Sequence, residues 1–287
     1  MSNRHVSLFF AGVSLLAVAA LSTGRKAAWA AGTTTCGDGI AATVGDDADC
    51  TVAPGLIPTT VTFSSNPQKI LILNGAAPSG NVTNLTNGQG VVTVQGTVTS
   101  AAKFGNSLFP GHYLQSQTVN DGATFNLGHE LSAVTVTVGQ GVSGALSQSA
   151  GFINASDLIL SSGATLTQSG SGVIQAGAIT LGNNAFLTLK NQSSGTINGA
   201  EAGQGELTFT GNFDTEVDAA LGSTKSLASI TVADTGNLTL DQNASATTFT
   251  VGQGTSGTVT QSAGTLSANT LVVDANGSFI QSGSGVV

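Results

Sequence analysis

Few residues in this chain could do chemistry, and their spacing narrows the choice. Gly139, Gly141 and Gly144 in "VGQGVSG" spell G-x-G-x-x-G, and Gly252, Gly254 and Gly257 in "VGQGTSG" spell it again. In dinucleotide-binding proteins that spacing works because a helix comes next and turns its N-terminus on the pyrophosphate. Here "ALSQSAG" and "TVTQSAG" come next, and neither starts an amphipathic helix. Turn glycines and no cofactor are therefore expected. Acid–base or nucleophilic catalysis needs a positioned base, and beyond the first thirty residues the histidines are His112 and His129. Neither has a recognisable partner for a Ser/His/Asp arrangement, and His129 with Glu130 reads as a solvent-facing turn.

Carboxylates cluster twice. Asp46, Asp47 and Asp49 lie between the two cysteines. Asp214, Glu216 and Asp218 alternate, so on an extended strand they share one face and are the candidates for holding Ca²⁺. The corresponding "VTSAAKF" upstream has no acids, which favours a solvated outer face over a metal site. Paired carboxylates for glycoside cleavage would have to face each other across a groove, and no such pair is legible. The expectation is a protein without catalytic residues.

The N-terminus supplies a compartment. "MSNRH" gives a basic start, "VSLFFAGVSLLAVAALS" an apolar core and "AWA" an A-x-A cleavage pattern, so residues 1–30 read as a secretory signal cut between Ala30 and Ala31. Its removal leaves Lys69, Lys103, Lys190 and Lys225 against all 15 carboxylates, with no arginine. Such a chain cannot neutralise a run of phosphates, which excludes nucleic acid as a partner. In an exported chain Cys36 and Cys50 are most simply one disulfide, contributing up to about 3 kcal/mol by restricting the unfolded state.

The elements that would position these groups emerge from repetition. Thr118–Ile174 aligns with Thr231–Val287 without a gap, with 26 identities in 57 positions. Upstream, "GQGVVTVQGTV" at 88–98 is answered by "GQGELTFTGNF" at 203–213. Inside this long unit lies a shorter step, about 20 residues in length and so within the range of solenoid repeats. Leu146 falls over Leu166, Gln148 over Gln168, and Ile153, Leu158, Leu160 and Leu166 over Ile174, Ile179, Leu181 and Leu187. The apolar residues come as short alternations, "LIL", "ITL", "LTL", "LVV", separated by Gly, Ser, Asn or Asp, which is the period of strands and tight turns. One such rung cannot bury its apolar side, whereas stacked parallel rungs can. The predicted fold is all-β, a right-handed parallel β-helix (β-solenoid) with rungs of about 20 residues. Residues 31–65 would form a disulfide-containing N-terminal cap, 66–180 the first repeat unit and 181–287 the second. The second unit stops at the equivalent of Ile174 and reads as truncated.

"GQGELTFTGNF" and the subsequent "LGSTKSLASITVADTGNLTLDQNASATTFTVG" resemble the Gly/Asn/Thr-rich passenger repeats of autotransporters, the type V secretion class. The likeness is to large rickettsial-type outer-membrane surface antigens and adhesins, over roughly Gln68–Val287. The resemblance implies export to the surface of a Gram-negative bacterium and display of a β-helical stalk. Its partners would be ligands on host cells, matrix or neighbouring cells, together with an outer-membrane translocator. The C-terminal membrane β-barrel of such proteins is not in this sequence, which leaves two readings: a translocator in a further C-terminal region, or a two-partner or otherwise secreted protein. Two other functions fit the same pattern: a secreted polysaccharide-active β-helix enzyme, and a surface-layer or matrix building block.

Overall fold

The computed structural model describes residues 33–35, 41–44, 49–55, 57–63, 70–105, 112–191, 193–210, 215–216, 220–233, 235–253 and 256–287. All regular elements among them are strands, paired in parallel. One nine-stranded sheet runs through β1 (Thr33–Thr35), β3 (Asp49–Val52), β5 (Ile70–Asn74), β7 (Val91–Gln95), β9 (Leu114–Val119), β11 (Leu131–Val138), β13 (Phe152–Leu160), β15 (Val173–Leu181) and β17 (Ser193–Gly199). A second runs through β8 (Thr97–Ser100), β10 (Thr124–Leu127), β12 (Gly144–Gln148), β14 (Ala164–Gln168), β16 (Phe186–Leu189), β18 (Glu206–Phe209), β20 (Leu227–Val232), β22 (Ala244–Val251) and β24 (Leu266–Val273). Shorter sheets join β2 (Ala41–Val44), β4 (Thr60–Phe63) and β6 (Val82–Asn84), and β19 (Thr215–Glu216), β21 (Gly236–Leu240), β23 (Gly257–Gln261) and β25 (Gly277–Gln281). The chain is a β-solenoid of stacked coils of about 21 residues.

The register obeys the short repeat of the sequence. Leu146 pairs with Leu166 and Gln148 with Gln168, Ile153, Leu158 and Leu160 with Ile174, Ile179 and Leu181, and Leu166 with Leu187. Each inward side chain thus rests on its counterpart one coil away. One interior column reads Cys50, Leu71, Val92, Gln117, Val136, Leu158, Ile179 and Ile197. Strands β1 to β4, in the stretch before the first repeat unit, already pair in parallel with the strand one coil on.

The long strands bend. In β13, Ile153 and Ala155 point inward, Ser156 and Asp157 are both exposed, and Leu158 and Leu160 point inward again. A break of the alternation by one residue turns the strand through a corner, because side chains otherwise change sides at every residue. The first half of each long strand, its second half and the next short strand give each coil three flat faces.

The two units of the long repeat do not stack face on face. Ile230 and Val232, the counterparts of Gln117 and Val119, pair with Leu207 and Phe209 of the second nine-stranded sheet, whereas Gln117 and Val119 belong to the first. In parallel, the bridges Ile197 to Leu221 and Leu221 to Ala244 seat the first half of β22 on the face that β17 occupied with its second half. Five coils of about 21 residues fall about a third of a coil short of the offset between the two units. The second unit is therefore displaced by one face.

Candidate functional site

The repeated glycine loop is the first site to build. Gly139–Gly144 joins β11 to β12, and Gly144 opens a strand, not a helix. Gly139 has φ of 74°, a left-handed value that a side chain resists, and a Cβ on Gly144 would lie 2.6 Å from the Gly139 nitrogen. Gly252 and Gly257 repeat both features, with φ of 74° and a 2.8 Å approach. These outer glycines pinch the base of the loop, and its consecutive N–H groups form a concave anion-binding nest. The anion is the chain's own. Asp121 Oδ1, one coil earlier, accepts hydrogen bonds from the backbone N–H of Gln140 at 2.7 Å, Gly141 at 3.2 Å, and Val142 and Ser143 at 3.3 Å each. These bonds, that from Gln140 foremost, hold the Asp121 carboxyl below its ordinary 3.8. An oxygen already accepting four donors is neither a base nor a metal ligand; it fixes a corner.

The buried glutamines do similar work. Gln148 Nε2 donates to the carbonyls of Gly151 and Val173, both at 3.1 Å. Gln261, its counterpart in the second unit, donates to Gly264 at 3.1 Å and Val286 at 3.0 Å. Gln168 donates to Gly172 at 2.7 Å and accepts from the N–H of Lys190 at 2.8 Å and Asn191 at 2.6 Å. Each amide ties the turn beyond its own strand to the next coil, and these bonds make a polar side chain tolerable inside an apolar shaft.

A third cluster corrects the sequence reading. His129 is exposed as expected, but Glu130 is buried, at 5% exposure. Ser132 Oγ donates to Glu130 Oε1 at 3.0 Å, and Lys103 Nζ stands 4.0 Å from Oε2. Glu130 turns inward because it ends the connection entering β11: its C=O accepts from the Phe104 N–H, and the Ser132 N–H donates back to the Phe104 C=O. A buried carboxylate is tolerable only with such partners. Ser132 has no exposed surface, so no substrate reaches its hydroxyl.

The remaining candidates are not brought together. His112 Nδ1 lies 3.1 Å from the Asn84 carbonyl. Asp49 Oδ1 accepts from the Ile70 N–H at 3.0 Å. Glu216 sits in β19, pairing with Thr239, while Asp214, Asp218, Asp46 and Asp47 lie outside the described residues. So do Ala30 and Ala31 of the expected cleavage site. Cys50 is disulfide-bonded, and Cys36, the chain's other cysteine, lies outside the described residues. Among the described residues no group of three or more His, Cys, Asp or Glu side chains could hold a metal ion. No helix among them is long and apolar enough to cross a membrane.

Sequence reasoning missed Gln117. It is fully buried in the apolar column between Val92 and Val136, and neither amide atom has a hydrogen-bond partner. A signal for it is present in the sequence, where its repeat counterpart is Ile230. Compared with known proteins, the chain matches no family model, no curated protein and no solved structure.

Proposed function

We propose that the chain is an exported, non-catalytic cell-surface protein of a Gram-negative bacterium, whose solenoid serves as a stalk and adhesive interaction surface, in the manner of an autotransporter passenger. The observation that carries this reading is where the reactive groups go. Asp121, Glu130, Gln148, Gln168 and Gln261 are engaged in holding turns and corners, while the outward positions of the faces are mostly uncharged and repeat from coil to coil. A regular rod presents the same chemistry many times, and weak contacts along it add through effective concentration.

The displacement of the second unit by one face shapes that reading. Gly139–Gly144 links the first nine-stranded sheet to the second, whereas Gly252 and Gly257 flank the link from the second to the four-stranded sheet, so the two repeats of the motif lie at different corners and not on one flat surface. Multivalent contact then belongs to a continuous face and not to the repeated loop. The test is direct: label the purified full chain and measure its attachment to cultured host cells, to matrix proteins and to cells that express it, with antibody labelling of intact expressing cells. Surface labelling with saturable attachment supports the proposal. Retention inside the cell, or turnover of acidic or neutral glycans in an activity screen with and without calcium, refutes it.

A further inference from the structure

The outer surface of the second nine-stranded sheet carries a column of hydroxyls. Ser147 pairs with Thr167, and Thr167, Thr188, Thr208, Thr231 and Thr250 succeed one another, one per coil. Threonine suits an exposed strand position for its own reasons, but the column is longer than the duplication supplies. Thr231 and Thr250 descend from positions whose counterparts, Thr118 and Thr137, lie in the other nine-stranded sheet. The one-face displacement joins them to Thr167, Thr188 and Thr208. Among the described residues none of these five hydroxyls has a hydrogen-bond partner.

Two residues to the side runs a companion column in which Thr165, Phe186, Glu206 and Ser229 are successive. Phe186 is 43% exposed, on a strand whose neighbouring positions are a threonine and a glutamate, so its ring has no apolar covering. Glu206 lies one coil beyond it, and no lysine or arginine occupies either column. A flat strip with one aromatic ring, one carboxylate and hydroxyls at a fixed step of about 4.8 Å has the chemistry of a sugar site. The ring stacks on the C–H face of a pyranose, and the carboxylate and hydroxyls exchange hydrogen bonds with its hydroxyls. The period selects among sugars, because in an extended β-1,4-linked chain each pyranose advances by a distance close to one coil. The partner is neutral, since a polyanion would meet Glu206 and a chain with an excess of carboxylates, while the repeated charges of a polycation would find only Glu206 as a counter-charge in the two columns.

We infer that the strip formed by Phe186, Glu206 and the column Thr167, Thr188, Thr208, Thr231 and Thr250 binds an extended, neutral, β-1,4-linked polysaccharide lying along the rod with about one sugar per coil. This rests on the surface-interaction role proposed above and gives its partner class. Binding should strengthen from two sugars to about five, as each added ring reaches another coil, and then level off.

The probes are cellobiose, cellotetraose and cellohexaose titrated calorimetrically into the full chain, with insoluble cellulose in a pull-down. Affinity is expected to rise by tenfold or more from the dimer to the hexamer. Phe186→Ala, a surface change that leaves the interior columns untouched, should weaken hexamer binding at least tenfold. Thr188→Val with Thr208→Val should weaken it several-fold at unchanged circular dichroism. Phe152→Ala removes an equally exposed phenylalanine (45%) outside this sheet and should leave binding intact. No hexamer binding by the wild type overturns the inference, as does equal loss in the Phe152 and Phe186 variants. Inhibition of ice recrystallisation without glycan binding also overturns it, because a periodic hydroxyl face would then be ordering water. Attachment to cells without oligosaccharide binding overturns the strip and leaves the surface role standing.

Discussion

Replacing Gln117 by methionine should stabilise the protein. The side chain has no exposed surface, it lies between Val92 and Val136 in the interior column, and both amide atoms lack partners. An amide buried without hydrogen bonds costs about 1–3 kcal/mol relative to its hydrated state. Methionine keeps the length and flexibility of glutamine and removes the amide, so little volume changes and little strain is introduced. The expected gain is about 1–2 kcal/mol after allowing for imperfect packing. Gln117→Ile, copying the buried Ile230 of the second unit, should gain less, because the branched side chain leaves the end of the glutamine cavity unfilled. The control is the same substitution at Gln148. There the amide donates to the carbonyls of Gly151 and Val173, the first of which also accepts the Val173 N–H, and Gln148→Met should destabilise by about 1 kcal/mol. Stability in a solenoid is close to a sum of local terms. The assay is therefore native-state hydrogen exchange of the amides in β7, β9 and β11 for Gln117, and in β12 to β15 for Gln148, alongside urea denaturation. Slower exchange is expected in the first case and faster in the second. If Gln117→Met accelerates exchange in β9, the glutamine has a partner that its surroundings hide, and the reasoning from unsatisfied atoms fails.

Three further outcomes are expected. The Asp121 clasp is favoured by the charged carboxylate, whose folded pKa lies below the ordinary 3.8. Its contribution is therefore fully present above that ordinary value and disappears as pH falls through the lower folded one. Amide protection at Gln140–Ser143 should stay level from pH 7 to about 4 and drop only in stronger acid, and Asp121→Asn should remove that acid transition. Gly195 has φ of 97°, and a Cβ would stand 1.8 Å from the Ala176 carbonyl oxygen, so Gly195→Ala should cost at least about 2 kcal/mol, read as lost protection across β15 and β17. Lys103→Ala leaves the Glu130 carboxylate buried with one cation fewer. The double variant with Glu130→Gln should recover most of that loss, a coupling of about 1 kcal/mol or more by double-mutant cycle.

Legibility in the sequence differs from residue to residue. The stacking of Leu158 on Ile179 or Gln148 on Gln168 can be read directly, because a short period and a two-residue alternation leave one register that keeps every aliphatic side chain inside. Glycines 139 and 144 can be read as turn residues, though not the carboxylate they enclose. Asp121 stands far in sequence from the N–H groups of Gln140–Ser143 that it binds, and its partner is fixed only once the coils are in register. Glu130 reads as a surface acid because it follows Gly128 and His129 at a turn, yet a single corner residue decides which way the chain faces afterwards.

The sequence by itself determined that this chain winds into parallel coils, since hydrophobic alternation and repetition at a short period are local properties that stacking then rewards. It could not determine on which face a given strand lies. That depends on the summed lengths of all the coils before it, and a slip of one face leaves the in-and-out pattern of every strand unchanged. Only the tertiary structure shows the second unit displaced by one face, Ile230 over Leu207 instead of over the column of Gln117. With that displacement come the unbroken threonine column and the different corners at which the two glycine motifs lie, both set by coil geometry accumulated along the whole length of the first unit.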